Sequence, residues 1–219
     1  MSTEQGRLFE DDKTSQEERW FMAYINELLD AGYLKEAVYQ PESFQVYEGG
    51  YTHAFVEQKD YNKPVDIKLV SPQKYTADFA FVWDKKAHGI FYWNTGGVYK
   101  TNFYPYRKSH AQNFIPFYAM TVNNKMISYI DTKGGFAGRN NVSASTFPQK
   151  QAMTIMTQEI FVQKVVVSLD EKGIFSRTFT PKSVVINEVY RRDCKHGKQG
   201  ESKLKFNPIL LEQWVKSKK

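Results

Sequence analysis

The pattern of apolar and polar positions predicts one well-defined helix near the N-terminus. Ser15 can cap it, and Glu18, three residues later, completes a capping box. Apolar residues then recur at helical spacing as far as Ala31-Gly32, where a glycine favours termination. This apolar stripe consists of Trp20, Phe21, Tyr24, Ile25, Leu28 and Leu29. The pattern therefore predicts a helix between Ser15 and Ala31.

Alternating and continuous apolar runs predict several strands in the first half of the chain. Residues 34–47 suit a strand broken by a turn at 41–43, and residues 65–70 alternate as in an edge strand or hairpin arm. Residues 75–84 form a nearly continuous apolar run, which is typical of a central or parallel strand. This run contains one carboxylate near its start, Asp78. We expect that carboxylate to be paired, bound to a metal or placed at an exposed strand end.

A second polar signal follows the apolar run Met126–Ile130. Asp131, Thr132 and Lys133 end this run, and two glycines come directly after them. Alternate side chains of a strand share a face, so Asp131 and Lys133 are expected to point the same way. Asp-x-Lys alone is short, and in most proteins it is a strand end with two solvated charges. Its interpretation therefore depends on the other motifs of the chain.

The remaining pattern completes the predicted order of elements. Asn94-Thr95-Gly96-Gly97 indicates a hairpin inside a tyrosine-rich segment over residues 85–125. Pro148 is expected at the first-turn position of a second helix. The further predictions, in chain order, are a loop over 134–146, a helix from Pro148 to Glu159, strands over 161–169, 174–179 and 183–189, and a short helix from Asn207 to Trp214.

Composition bounds the class of protein. The chain has 219 residues, 41% hydrophobic and 25% charged, which is ordinary for a soluble globular domain with a substantial core. Aromatic residues reach 16%, which favours strands and supplies stacking surface. Cys194 is the single cysteine, which argues against a disulfide framework or a cysteine-based zinc site. The polar N-terminus and the absence of long apolar runs predict a cytoplasmic protein without a membrane segment.

Net charge weakly indicates an anionic partner. The chain carries a net charge of +6 with a pI of about 9.1. From Lys182 to Lys219 there are ten Lys or Arg and four Asp or Glu, and 10 − 4 equals that whole excess. Arg191, Arg192 and Lys195 lie beside a glycine-containing loop that suits phosphate contacts, although a solvated tail explains them equally.

Four motifs taken in chain order resemble the PD-(D/E)xK nuclease superfamily. They are Ser15-x-x-Glu18 on a helix, Tyr75-Thr76-Ala77-Asp78-Phe79, Asp131-Thr132-Lys133-Gly134 and the Gln149-Lys150 helix. The resemblance covers about residues 15–168. Within the superfamily, the motifs are most similar in type to those of small phage and transposon nucleases and Holliday-junction resolvases. It implies an α/β fold with a restriction-endonuclease-like core, in which helices flank a mixed central sheet. It also implies a metal-dependent endonuclease that hydrolyses DNA.

The resemblance assigns a role to each motif residue. Asp78, Asp131, the carbonyl of Thr132 and Glu18 would hold Mg²⁺, which Mn²⁺ could replace. Lys133 would orient or deprotonate the attacking water and contact the phosphate. Glu17 is an alternative metal ligand to Glu18, because the capping box alone accounts for a glutamate at position 18. The residues expected to contact DNA are Gln149 and Lys150 at a helix start, with Arg139, Arg191, Arg192 and Lys195.

Two departures from the family pattern leave alternatives open. Ala77 stands where the family usually has proline, a position that shapes the backbone and holds no ligand. The two acidic positions are 131 − 78 = 53 positions apart in the sequence, so the segment 85–125 is expected to be an aromatic-rich insertion. Asp84 is the alternative partner of Asp131. The predicted organisation is a tail over 1–14, a nuclease-like domain over 15–180 and a basic extension over 181–219.

Two functions of other classes also fit the sequence. One is a non-catalytic nucleic-acid-binding or phage assembly protein that keeps the fold and the basic extension. The other is a protein whose aromatic insertion binds a partner protein, with the positive charge incidental. Symmetric cleavage of two strands would favour a homodimer.

Overall fold

A mixed β-sheet forms the centre of the protein, and helices flank it. The computed structural model describes residues 14–57, 59, 62–94, 115–134, 142–189 and 204–218. The strands are β1 (Leu34–Tyr39), β2 (Phe44–Tyr47), β3 (Gly50–Glu57), β4 (Asn62–Val70), β5 (Gln73–Tyr75), β6 (Phe79–Trp83), β7 (Tyr92–Asn94), β8 (Phe117–Val122), β9 (Lys125–Gly134) and β10 (Val162–Val167). The α-helices are α1 (Gln16–Asp30), α2 (Val142–Gln158), α3 (Ile174–Arg177), α4 (Lys182–Val189) and α5 (Leu211–Ser217).

Helix α1 begins and ends where the sequence predicts. The Ser15 hydroxyl accepts a hydrogen bond from the Glu18 N–H at 3.3 Å, and the Glu18 carboxylate accepts one from the Ser15 N–H at 2.7 Å. Both halves of the capping box are therefore present. Ala31 is the C-cap, and Gly32 follows with a φ of +70°, a conformation that glycine adopts without steric cost.

The order of strands in the sheet places β6 and β9 side by side at its centre. The order is β1-β6-β9-β8-β7, and β10 also pairs with β9. Strand β6 is antiparallel to both β1 and β9, which therefore run in the same direction, whereas β10 is parallel to β9 and follows α2. The predicted mixed central sheet with flanking helices is therefore confirmed. Strand β6 is central, as its apolar run suggests, but it is antiparallel to both of its neighbours.

Two hydrophobic clusters cover the two faces of the sheet. The larger cluster lies beneath α1, where Tyr24 stacks on Phe179 with ring centroids 4.2 Å apart. Buried residues of α5, such as Trp214, belong to the same cluster. The smaller cluster lies on the opposite face, between the sheet, α2 and the β2–β5 pair. It contains Val46, Tyr75, Ala77, Phe147 and Val162.

A two-stranded arm extends from the smaller cluster. Strands β2 and β5 pair at its base, and β3 and β4 form the hairpin beyond them, as the 65–70 pattern predicts. Gly49, with a φ of +100°, lies at the bend between the two parts. Phe55 is 73% exposed and Leu69 is 64% exposed, so apolar side chains of the hairpin face solvent.

The segment predicted as an insertion contributes to the main sheet. Strand β8 pairs with β9, and Phe91 and Phe117 are fully buried in the larger cluster. The two ends of residues 85–125 are therefore part of the core. Strand β7 forms, but the return strand predicted after Asn94-Thr95-Gly96-Gly97 lies outside the described residues.

The predicted start of the second helix is wrong. Helix α2 begins at Val142, so Pro148 lies in its interior and residues 142–146 are helical. Proline has no backbone N–H, which is why it usually lies in the first turn of a helix. Here it lies inside the helix, at the cost of one backbone hydrogen bond. Here Phe147 anchors α2 by packing against Val162 in the smaller cluster.

The two strands predicted near the C-terminus are also wrong, because residues 174–177 and 182–189 are the helices α3 and α4. Their β-branched residues favour strands, but tertiary packing decides the outcome. Phe175 and Val184 are buried in the larger cluster, and the Thr178 and Tyr24 hydroxyls are hydrogen-bonded at 3.1 Å. The last helix begins at Leu211, four residues after the predicted start.

We predict that Ser15→Ala lowers the free energy of unfolding by about 1 kcal/mol, because the Glu18 N–H then loses its acceptor. Urea denaturation measures this difference. Ser71→Ala, at an exposed position between β4 and β5, is the matched control and should change stability by less than about 0.5 kcal/mol. Equal effects of the two substitutions would contradict a specific capping role.

Candidate active site

The antiparallel pairing of β6 with β9 brings the two acidic motifs together. Phe79 lies opposite Ile130, so Asp78, just before β6, lies beside the Asp131-Thr132 step of β9. Asp78 Oδ2 accepts hydrogen bonds from the Thr132 backbone N–H at 2.6 Å and from the Thr132 hydroxyl at 2.7 Å. The two motifs therefore meet despite their separation in sequence.

Asp131 is buried, and different residues contact its two carboxylate oxygens. Oδ1 accepts a hydrogen bond from the Tyr75 hydroxyl at 3.0 Å. Oδ2 is ion-paired with Lys133 Nζ, and it accepts no hydrogen bond of regular geometry from the described part of the chain. The Asp131 side chain is 7% exposed and the Lys133 side chain 17%, so the ion pair lies just below the surface.

Burial and neighbouring charge shift the protonation of Asp78. Burial raises the pKa of its carboxyl group to about 6, and the negative charge of Asp131 acts in the same direction. The hydrogen bonds from Thr132 and the charge of Lys133 oppose this increase in pKa. Two carboxylates held this closely favour a positive charge beside them, because neither is fully stabilised by water.

Of the two acidic residues at the start of α1, Glu17 is the one that approaches the end of β9. Glu18 is engaged in the capping box at the helix start. Glu17 Oε1 lies against the backbone of Gly134, where an added Cβ would come within 2.6 Å of it. Gly134 directly follows Lys133, and its lack of a side chain leaves room for the Glu17 carboxylate in this position.

Helix α2 brings Lys150, but not its N-terminus, to the site. Lys150 Nζ lies 5.6 Å from the ring centre of Tyr75, whose hydroxyl contacts Asp131. Lys133 Nζ lies 5.9 Å from the ring of Phe147 on the same helix. Gln149 is exposed. The predicted placement of Gln149 and Lys150 at a helix start is wrong, because α2 begins at Val142, and their contact with DNA stays a prediction.

Asp84 does not lie beside Asp131. It caps the 3-10 turn Lys85–Ala87 and accepts a hydrogen bond from the Lys86 N–H at 3.0 Å. Asp78 and Asp84 flank opposite ends of β6, about 20 Å apart at roughly 3.3 Å per residue. The remaining predicted DNA contacts, Arg139, Arg191, Arg192 and Lys195, lie outside the described residues.

Tyr75 is the contact that sequence reasoning missed. It lies three residues before Asp78, within a motif already singled out, but its partner Asp131 is 56 residues further along the chain. A tyrosine in an apolar run is normally assigned to the core. The available signal was the polar hydroxyl of a tyrosine in an apolar run, three residues before the candidate ligand Asp78.

Comparisons with protein-family models, curated proteins and solved structures found no match for this chain. Among the described residues, no three or more His, Cys, Asp or Glu side chains are grouped so as to hold a metal ion by themselves. None of the helices described here is both long and apolar enough to cross a membrane.

We predict that Asp78→Asn removes a pH-dependent loss of stability in metal-free protein. Because the pKa of Asp78 is raised, the folded state binds more protons than the unfolded state between about pH 4 and pH 6. Wild-type stability should therefore fall as pH rises through this window, by on the order of 3 kcal/mol. Urea denaturation at pH 4 and pH 8 in the presence of a chelator measures the difference.

Asp66→Asn is the matched control for this experiment. Asp66 lies on the exposed arm and pairs with His53, far from the carboxylate pair in the fold. This variant should keep the wild-type decrease in stability between pH 4 and pH 8. The same pH dependence in Asp78→Asn as in wild type would show that Asp78 is not the titrating group.

Proposed function

We propose that the protein is a metal-dependent endonuclease that hydrolyses DNA phosphodiester bonds. The observation that carries the proposal is the meeting of Asp78 with Asp131, Thr132 and Lys133 across β6 and β9. Two carboxylates and one lysine at adjacent strand positions supply the groups that metal-assisted phosphodiester hydrolysis requires. The site residues come from the motifs that resemble the PD-(D/E)xK superfamily.

The order and direction of the elements support the assignment to a restriction-endonuclease-like core. Helix α1 precedes three antiparallel strands, β1, β6 and β9, and α2 then crosses over to β10, which is parallel to β9. Both acidic motifs lie on the central pair of this unit. A chance occurrence of Asp-x-Lys would not require this arrangement.

The donor set fits a hard divalent cation such as Mg²⁺ or Mn²⁺. Asp78, Asp131 and the carbonyl of Thr132 would hold it, with Glu17 adjacent through its contact with Gly134. Mg²⁺ commonly uses one or two carboxylates and retains several waters, so a group of three acidic ligands is unnecessary. The raised pKa of Asp78 is a feature that a bound cation would relieve. When bound, the cation would make a water more acidic and stabilise negative charge on the phosphate.

Lys133 supplies a positive charge beside the reacting phosphate. Its ammonium is held by Asp131 on the same strand face, and part of its side chain reaches the surface. From this position it can orient the attacking water or stabilise the charge that develops on a phosphate oxygen. Lys150, which is exposed over the ring of Tyr75, is placed to contact the DNA backbone nearby.

A non-catalytic nucleic-acid-binding protein is the second candidate function. The observation that favours it is the internal pairing of the acidic groups, since Thr132 donates to Asp78 while Tyr75 and Lys133 contact Asp131. The net charge of +6 serves either function. Binding to DNA with a steep salt dependence, without cleavage in Mg²⁺ or Mn²⁺, would identify this second function.

We predict that Lys133→Ala lowers the rate of Mg²⁺-dependent DNA cleavage by about 100-fold or more. The measurement is single-turnover cleavage of labelled duplex and branched DNA. Lys125→Ala is the matched control, because Lys125 lies on the same strand, pairs with Glu36 and is exposed at the far end. The control should cleave at nearly the wild-type rate. Equal activity of Lys133→Ala and wild type would exclude the proposed role of Lys133.

We also predict that Glu17→Gln weakens Mg²⁺ binding, whereas Glu18→Gln leaves it almost unchanged. Glutamine at position 18 can still complete the capping box, so that substitution preserves the start of α1. Glu17 faces Gly134 at the site, and its neutralisation removes a nearby negative charge. Isothermal titration calorimetry with Mg²⁺ distinguishes the two. The reverse order of effects would return the assignment to Glu18.

A further inference from the structure

Tyr75 occupies an unusual place, with its ring in an apolar cluster and its hydroxyl on a candidate ligand. From this geometry we infer that Tyr75 is a positioning residue, which holds Asp131 in the orientation that the proposed metal site requires. The inference rests on the proposed function and assigns a role to a residue outside the Asp78, Asp131 and Lys133 group.

The Tyr75 hydroxyl is a buried hydrogen-bond donor to Asp131. The residue is 5% exposed, and its hydroxyl donates to Asp131 Oδ1 at 3.0 Å. A phenol is protonated at neutral pH, so Asp131 Oδ1 accepts this hydrogen bond from the Tyr75 hydroxyl.

The ring of Tyr75 is held from several sides. Tyr75 pairs with Phe44 across β5 and β2 at the base of the arm. It packs in the cluster that includes Val46 and Phe147, and Lys150 lies over the ring face. A ring restrained in this way cannot follow a rotation of the Asp131 carboxylate, so the hydroxyl acts as a fixed point.

This arrangement gives each oxygen of Asp131 its own partner. Oδ1 is committed to Tyr75, which leaves Oδ2 directed towards Lys133 at the partly exposed edge. Carboxylate ligands are commonly oriented by such outer hydrogen bonds, and loss of one typically weakens metal affinity by about 10–100-fold. Packing alone would be satisfied by phenylalanine, so the hydroxyl is explained by its contact with Asp131.

The test is Tyr75→Phe, which keeps the ring and removes only the hydroxyl. Calorimetric titration with Mg²⁺ should give an affinity about 10–100-fold weaker than wild type. In cleavage assays the half-saturating Mg²⁺ concentration should rise by a similar factor, while the rate at saturating Mg²⁺ returns close to wild type. A merely structural defect would lower the saturated rate and would not be restored by added metal.

Tyr129→Phe is the matched control, since Tyr129 packs against the same cluster, with its ring 5.2 Å from that of Phe44. It should bind Mg²⁺ as wild type does. As a second measurement in the unsubstituted protein, tyrosine ring NMR signals should shift on Mg²⁺ addition for Tyr75 and remain unchanged for Tyr129. This measurement does not require any variant to fold.

The outcomes separate the inference from the proposed function. If wild type binds Mg²⁺ and cleaves DNA but Tyr75→Phe has the same Mg²⁺ affinity, Tyr75 is not a positioning residue and the proposed function stands. If wild type neither binds Mg²⁺ nor cleaves DNA, the proposed function fails and the inference fails with it. Weaker binding that excess Mg²⁺ fully compensates supports both.

Discussion

The antiparallel pairing of β6 with β9 is the interaction on which the candidate site depends. With Phe79 opposite Ile130, the residue before β6 meets the residues that follow Ile130 in β9. Thr132 then closes the contact by donating two hydrogen bonds to Asp78. A shift of one residue would turn Asp131 and Lys133 to the other face of the sheet, because strand side chains alternate. The site is therefore specified by strand register.

The burial of Asp78 beside Asp131 lowers the stability of the fold when Asp78 is ionised. The pKa of Asp78 is raised because burial and the nearby charge of Asp131 make its ionisation unfavourable. A domain is stable by only about 5–15 kcal/mol, so a term of about 3 kcal/mol is large. Such local destabilisation persists where the surrounding structure enforces it, and it is common at functional sites. In a cation-bound protein the same burial would strengthen binding.

Local signals in the sequence predicted α1, the central strands and the Asp131–Lys133 pair, since each depends on residues close in the chain. The errors arose where tertiary structure decides. Pro148 suggested a helix start, although α2 begins six residues earlier, at Val142. The apolar residues over 174–189 suggested strands, although they pack as helices beneath α1. The contact of Tyr75 was missed because its partner Asp131 is distant in sequence. The choice between Glu17 and Glu18 depends on the direction of each side chain, which the sequence does not define.

The long separation between the acidic motifs follows from how the edge of β9 opposite β6 is shared between two strands, β8 and β10. Its first part pairs with β8, through Met120 opposite Ile127, whereas its later part pairs with β10 from Tyr129 onwards. Ser128 lies at the change of partner, where it accepts a hydrogen bond from the Trp83 indole at 2.7 Å. Strand β8 must be supplied by the chain between the motifs, so that segment is needed to complete the sheet. Asp131 and Lys133 lie beyond the change of partner, where β8 no longer flanks the strand. The segment that separates the motifs in sequence thus supports the strand on which they meet.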